Sequence, residues 1–164
     1  MDMRSRTRHW RLRKNQTARI LDDVELFSEC TVKELRLVAQ LMCPISLKPD
    51  RVIVHAGDPC NQLVVVLSGE AGTSGPDGGG SCLGPGSLFG EQALLPGSVE
   101  IATVTATTPM ELLVSSRAEL SRMVGVAPSI EHKLLGRIAR QSPAMPPEIV
   151  EARVPSLAHV VLTA

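Results

Sequence analysis

Apolar positions along the chain change their spacing twice, from about 3.6 residues to about two and back again. Thr17 to Val24, reading TARILDDV and followed by Glu25, Leu26 and Phe27, predicts a short helix and an apolar hook. Thr31 is the next N-cap. Glu34 stands three residues on as its reciprocal partner, and Leu35, Val38, Leu41 and Met42 then repeat at helical spacing. That helix ends before Pro44. From Pro44 to Ser115 the signals become those of strands and turns. Ile45–Lys48 is short, Pro49-Asp50 turns into Arg51–His55, and Ala56-Gly57-Asp58-Pro59 turns again. Leu63–Leu67 is a buried run broken by Ser68-Gly69, and Gly75-Pro76-Asp77-Gly78-Gly79-Gly80 is a hairpin tip. Leu83–Gly90, dense in glycine around Pro85, is a sharp barrel corner, and Ile101–Ala106 and Glu111–Ser115 are the last two strands. Helical spacing then returns. Ser116 caps Arg117–Val124, and Pro128 and Ser129 open a helix on which Ile130, Leu134, Leu135 and Ile138 share one face. Pro143, Pro146 and Pro147 end it.

This order predicts a mainly β chain: a jelly-roll-like double-stranded β-roll flanked by short N- and C-terminal helices. It divides the sequence into a basic arm (1–19), one domain (20–141) and a proline-broken tail (142–164). Val160-Val161-Leu162 gives the tail an apolar end that could pack back onto the roll or onto a partner.

Composition narrows the core and the partners. Aromatic residues make up only 2% of the chain, so Leu, Val, Ile, Ala and Met must build the interior. The formal charge of +0 conceals an asymmetry. Arg4, Arg6, Arg8, Arg11, Arg13, Lys14 and Arg19 crowd the arm, whereas the chain from residue 20 onward carries 10 basic and 16 acidic residues, about −6. A cationic arm on an acidic body seeks an anionic surface, either its own or that of a nucleic acid, a lipid headgroup or a protein. Cys30, Cys43, Cys60 and Cys82 form no Cys-x-x-Cys pair, and no histidine is spaced to complete a zinc site, so reduced and mostly buried thiols are expected. No apolar run reaches the roughly 18–20 residues of a membrane span, and the first 19 residues are too charged for a signal peptide. A cytoplasmic location follows as the expectation.

One segment carries a family resemblance. Phe89 to Thr103 reads FGEQALLPGSVEIAT and resembles, without gaps, the phosphate-binding cassette of the cyclic-nucleotide-binding domain family. Phe89, Gly90, Glu91, Ala93, Leu94, Ala102 and Thr103 fall where that family's pattern places them. Arg51–Asp58, Val65–Gly69 and the helix from Pro128 to Arg140 extend the likeness over roughly residues 20–141. The resemblance implies a pocket drawn from Phe89, Gly90, Glu91, Gln92, Ala93, Glu100, Ile101, Ala102 and Thr103. In it, free N–H groups after Gly90 would face a cyclic phosphate, and Glu91 would accept from a ribose hydroxyl.

The chain departs from the pattern at the charge. Val99 and Glu100 stand where the family has proline and arginine. At about 4 Å and an effective dielectric near 20, a unit-charge contact is worth roughly 4 kcal/mol. Reversing its sign is therefore worth several kcal/mol even after screening, or about three orders of magnitude in affinity.

The leading expectation is thus a non-enzymatic regulatory or scaffolding subunit that has lost ordinary cyclic AMP or cyclic GMP binding, holds no cofactor and acts through protein contacts. A second reading keeps nucleotide sensing with a rewired pocket, in which Lys48, Arg51 or Arg117 supplies the missing cation. A third gives the arm a nucleic-acid or anionic-surface role. No nucleophile elbow, Walker loop, His-Glu-x-x-His or metal-binding aspartate cluster points to catalysis. The roughly 23 residues after the last helix are too few for a helix-turn-helix domain, and by resemblance the Ile130–Ile138 face offers a homodimer contact.

Overall fold

The structure, a computed structural model, describes residues 17–141 apart from Asp77. The arm's Arg4, Arg6, Arg8, Arg11, Arg13 and Lys14, and the tail from 142 onward, lie outside the described residues; Arg19 lies within them and is exposed.

Helix α1 covers residues 17–22, and a 3-10 turn at Glu25–Phe27 sets Leu26 and Phe27 into the interior. Helix α2, Val32–Gln40, starts on the expected capping box: Thr31 accepts from the Glu34 N–H, and the Glu34 carboxylate accepts from the Thr31 N–H. Eight strands follow: β1 Cys43–Leu47, β2 Val52–Val54, β3 Gln62–Ser68, β4 Ala71–Ser74, β5 Cys82–Leu83, β6 Leu88–Phe89, β7 Thr103–Ala106 and β8 Met110–Ser116. They form two antiparallel four-stranded sheets, ordered β1-β8-β3-β6 and β2-β7-β4-β5. Helices α3, Arg117–Val126, and α4, Pro128–Gln141, close the chain.

The unbroken apolar run in β3 has a plain cause. Its sheet is covered on both faces, so neither set of alternating side chains meets water. Val64 and Val66 join Leu112, Val114, Val104, Ala106, Ala71 and Met110 between the sheets. Leu63, Val65 and Leu113 point the other way, into a larger core that takes in Phe27, Leu35, Val38, Leu120, Met123, Ile130 and Leu134 from the helices. The antiparallel register sets Val64 opposite Val114 and Val65 opposite Leu113, keeping the two sets apart.

Three expectations need correction. The last helix uses its apolar face internally: Ile130, Leu134 and Ile138 are each 0% exposed, so that face is not free for a homodimer contact. Two of the four thiols, Cys43 and Cys82, are exposed because they lie on β1 and β5, the end strands of the two sheets. Strand β7 starts at Thr103, not at Ile101, and Ile101 is 61% exposed.

Candidate functional site

The corner between β6 and the following turn is built around Gly90. Its backbone is left-handed, with φ of 85°, and a Cβ there would lie 2.0 Å from the Gln62 carbonyl oxygen of β3. Only glycine permits both the angle and the approach. The chain then winds into a 3-10 turn, Glu91–Leu94, that carries Glu91 beneath the surface, 3% exposed.

A buried carboxylate needs a partner. Arg137 of α4 supplies it, placing Nε and Nη2 each 2.9 Å from Glu91 Oε1. The same guanidinium reaches Glu25 Oε2 at 3.7 Å, so one side chain ties α4 to the short turns at residues 25–27 and 91–94.

Glu100 belongs to the facing wall. Residues 57–60 and 98–100 run alongside each other: Glu100 N–H donates to the Asp58 carbonyl at 2.8 Å, Gly57 N–H to the Glu100 carbonyl at 2.8 Å, and Cys60 N–H to the Ser98 carbonyl at 2.9 Å. Burial raises the Glu100 carboxyl above its ordinary range, and the negative charges of Glu91 and Asp58 push the same way, while a hydrogen bond with Cys60 opposes them. The Cys60 thiol is pushed up to about 12, chiefly by burial and then by its bond with Glu100. It remains a neutral thiol throughout the physiological range.

Between these walls lies a cavity of about 390 Å³. Of the nine residues expected to line it, seven do: Phe89, Gly90, Glu91, Gln92, Glu100, Ile101 and Ala102. Ala93 instead packs in the main core, and Thr103 turns its hydroxyl away to accept from the Ala56 N–H at 3.0 Å. Cys60, Leu83, Leu88, Val99, Val104 and Arg137 line the cavity without having been foreseen. Arg137 left one sequence trace, lying beside Ile138 at the edge of the apolar stripe.

The three cations expected to rewire the pocket do not line the cavity. Lys48 and Arg51 are exposed. Arg117 is committed to backbone, donating Nε to the Ala93 carbonyl at 2.7 Å and Nη2 to the Leu95 carbonyl at 3.1 Å and the Cys60 carbonyl at 3.4 Å. It secures the end of the 3-10 turn, where carbonyls lack helical partners. Among the described residues no group of three or more His, Cys, Asp or Glu side chains could hold a metal ion.

Comparison with known proteins gives consistent results. Residues 44–125 match the family model described as "Cyclic nucleotide-binding domain". Over 79 residues the chain is 34% identical to a cyclic nucleotide-gated potassium channel of Mesorhizobium japonicum, covering 48% of this chain and 22% of the channel. Over 113 residues it is 26% identical to a cAMP-dependent protein kinase regulatory subunit of Hypocrea atroviridis, covering 69% of this chain and 24% of that subunit. Among solved structures, the N-terminal domain of a transcriptional regulator from Streptomyces coelicolor A3(2) superposes with a TM-score of 0.61 at 28% identity, covering 76% of this chain and 93% of that one. The chain spans about a quarter of the length of the curated relatives it matches.

Proposed function

Because the chain belongs to the cyclic nucleotide-binding domain family, we propose that it is a non-catalytic regulatory module whose cavity no longer takes an ordinary cyclic nucleotide and which acts through protein contacts. One observation carries the reading. Glu100, at the position where the family pattern has arginine, lines the cavity with Glu91 and Asp58 as charged neighbours. A cyclic phosphodiester is an anion, and beside that carboxylate it meets repulsion in a partly desolvated wall, where charges are screened less than in bulk water.

A second support lies at the other end of the cavity. The Glu91 carboxylate, which by family resemblance accepts from a ribose hydroxyl, already accepts from Arg137. A ribose hydroxyl has to share or displace a charged donor, and charge-assisted bonds are the stronger kind. The curated relatives include regulatory subunits and channels, in which such a domain is one part of a longer protein. We place this module in the cytoplasm; no helix among the described residues is long and apolar enough to cross a membrane.

Calorimetric titration of cyclic AMP and cyclic GMP into the full chain tests the proposal. No saturable heat is expected at micromolar ligand, and micromolar binding of either would end it. Arg137 favours a second reading, a sensor with a rewired pocket, since it is the guanidinium that lines the cavity. On that reading the protein binds cyclic nucleotide and Arg137→Gln abolishes binding.

A further inference from the structure

The cavity's charges are unevenly paired. Arg137 is held by Glu91 and Glu25, so its positive charge is already met by two carboxylates. No Lys or Arg among the described residues lies within ion-pair distance of Glu100. Glu91 on the 3-10 turn and Asp58 on the neighbouring segment add negative charge around it, and its side-chain hydrogen bond is with the Cys60 thiol, a weak donor.

Most of the remaining lining is apolar. Leu83, Leu88, Phe89 and Val104 are buried or half-buried, and the exposed Val99 and Ile101 flank Glu100 along the chain. Thr73 and Ser81 line the cavity too but engage each other: Thr73 Oγ1 accepts from the Ser81 N–H at 2.9 Å and donates to the Ser81 carbonyl at 3.3 Å. The volume of about 390 Å³ falls within the roughly 300–1,000 Å³ of small-molecule sites. The cavity thus offers apolar surface, the aromatic ring of Phe89, and one carboxylate that no cation answers.

We infer that the cavity is a site for a small aromatic amine, its ammonium group against Glu100 and its ring on Phe89 and the aliphatic walls. The inference rests on the reading that the cavity does not take a cyclic phosphate. At the same carboxylate an ammonium is attracted where a phosphodiester is repelled, because the Coulomb energy changes sign with the ligand. The ammonium donates and Glu100 accepts, a charge-assisted bond. The ring displaces water from apolar surface and stacks on an aromatic neighbour. A metal ion does not fit, since among the described residues no group of three or more His, Cys, Asp or Glu side chains could hold one. In the ligand-free protein the Glu100 charge stands uncompensated, and the amine brings its compensation only on binding, so occupancy stabilises the module.

Three probes that share an indole ring and differ in charge test this: tryptamine, its neutral alcohol tryptophol, and the anion indole-3-propionate. In calorimetric titrations of the full chain at pH 7, tryptamine should bind about 10- to 100-fold more tightly than tryptophol. Indole-3-propionate should give no saturable heat. Glu100→Gln, confirmed as folded by its melting transition, should erase the preference for tryptamine and leave the affinity for tryptophol unchanged. Equal affinity for tryptamine and tryptophol in the unaltered protein, or no binding of either, overturns the inference without recourse to any variant. So does a preference that survives Glu100→Gln, which places the amine elsewhere. Titrating cyclic AMP into the same samples separates the two proposals: micromolar binding defeats the functional reading, whereas absent binding with no preference for the amine defeats this inference alone.

Discussion

At the scale of single residues the two ends of the cavity show how one amino acid type takes different parts. Glu91 is buried and answered by Arg137, whereas Glu100 is half-buried with two acids nearby and a thiol for company. Because the folded protein raises the Glu100 pKa, it holds that proton more tightly than the unfolded chain does. Stability from this group is therefore present at low pH and is lost as pH rises from about 4.5 through the raised value. Glu100→Gln should raise the melting temperature at pH 7 by up to a few degrees, since the exposed part of the group is screened. The gain should vanish near pH 4; an equal gain at both pH values contradicts the account. The thiols separate likewise. Cys30 and Cys60 are buried with raised pKa values, and Cys43 and Cys82 are exposed. A disulfide reagent at pH 8 should titrate two thiols quickly and leave two slow. Gly90→Ala should cost about 3 kcal/mol or more in denaturant unfolding, because the added methyl meets the Gln62 backbone oxygen and the angle is left-handed.

At the scale of elements, what could be read from the chain depended on whether the signal was local. Capping boxes are local, and both Thr31 and Ser116 start helices where the sequence places them. Ser116→Ala should accordingly lower stability by about 1 kcal/mol, measured as a shifted denaturant midpoint at unchanged slope. Strands were legible wherever turn residues bracketed an apolar run, as at Leu63–Leu67 within β3. Ile101 opens the strand that the sequence predicts over Ile101–Ala106. Its backbone instead bends ahead of β7 and leaves the side chain exposed, a tertiary choice that periodicity does not encode. Which cation enters the cavity was equally hidden. Arg117 and Arg137 have the same side chain, yet the first is held by three carbonyls and the second by a carboxylate. Only the packing of α3 and α4 against the 3-10 turn separates their roles.

At the scale of the whole molecule, the roll places its cavity between a wall that carries Glu100 and a helix that carries Arg137. Residue 100 belongs to neither hydrophobic core, so a change of charge there leaves the fold intact. The regulatory reading therefore depends on the sign of one side chain more than on architecture. The most direct test is the affinity of cyclic AMP for the protein and for Glu100→Arg, compared by calorimetry with both confirmed as folded by their melting transitions. The account predicts no measurable binding to the protein itself and a gain of about 10³-fold in the variant. Micromolar binding to the unaltered protein, or a folded Glu100→Arg with no gain, would contradict it.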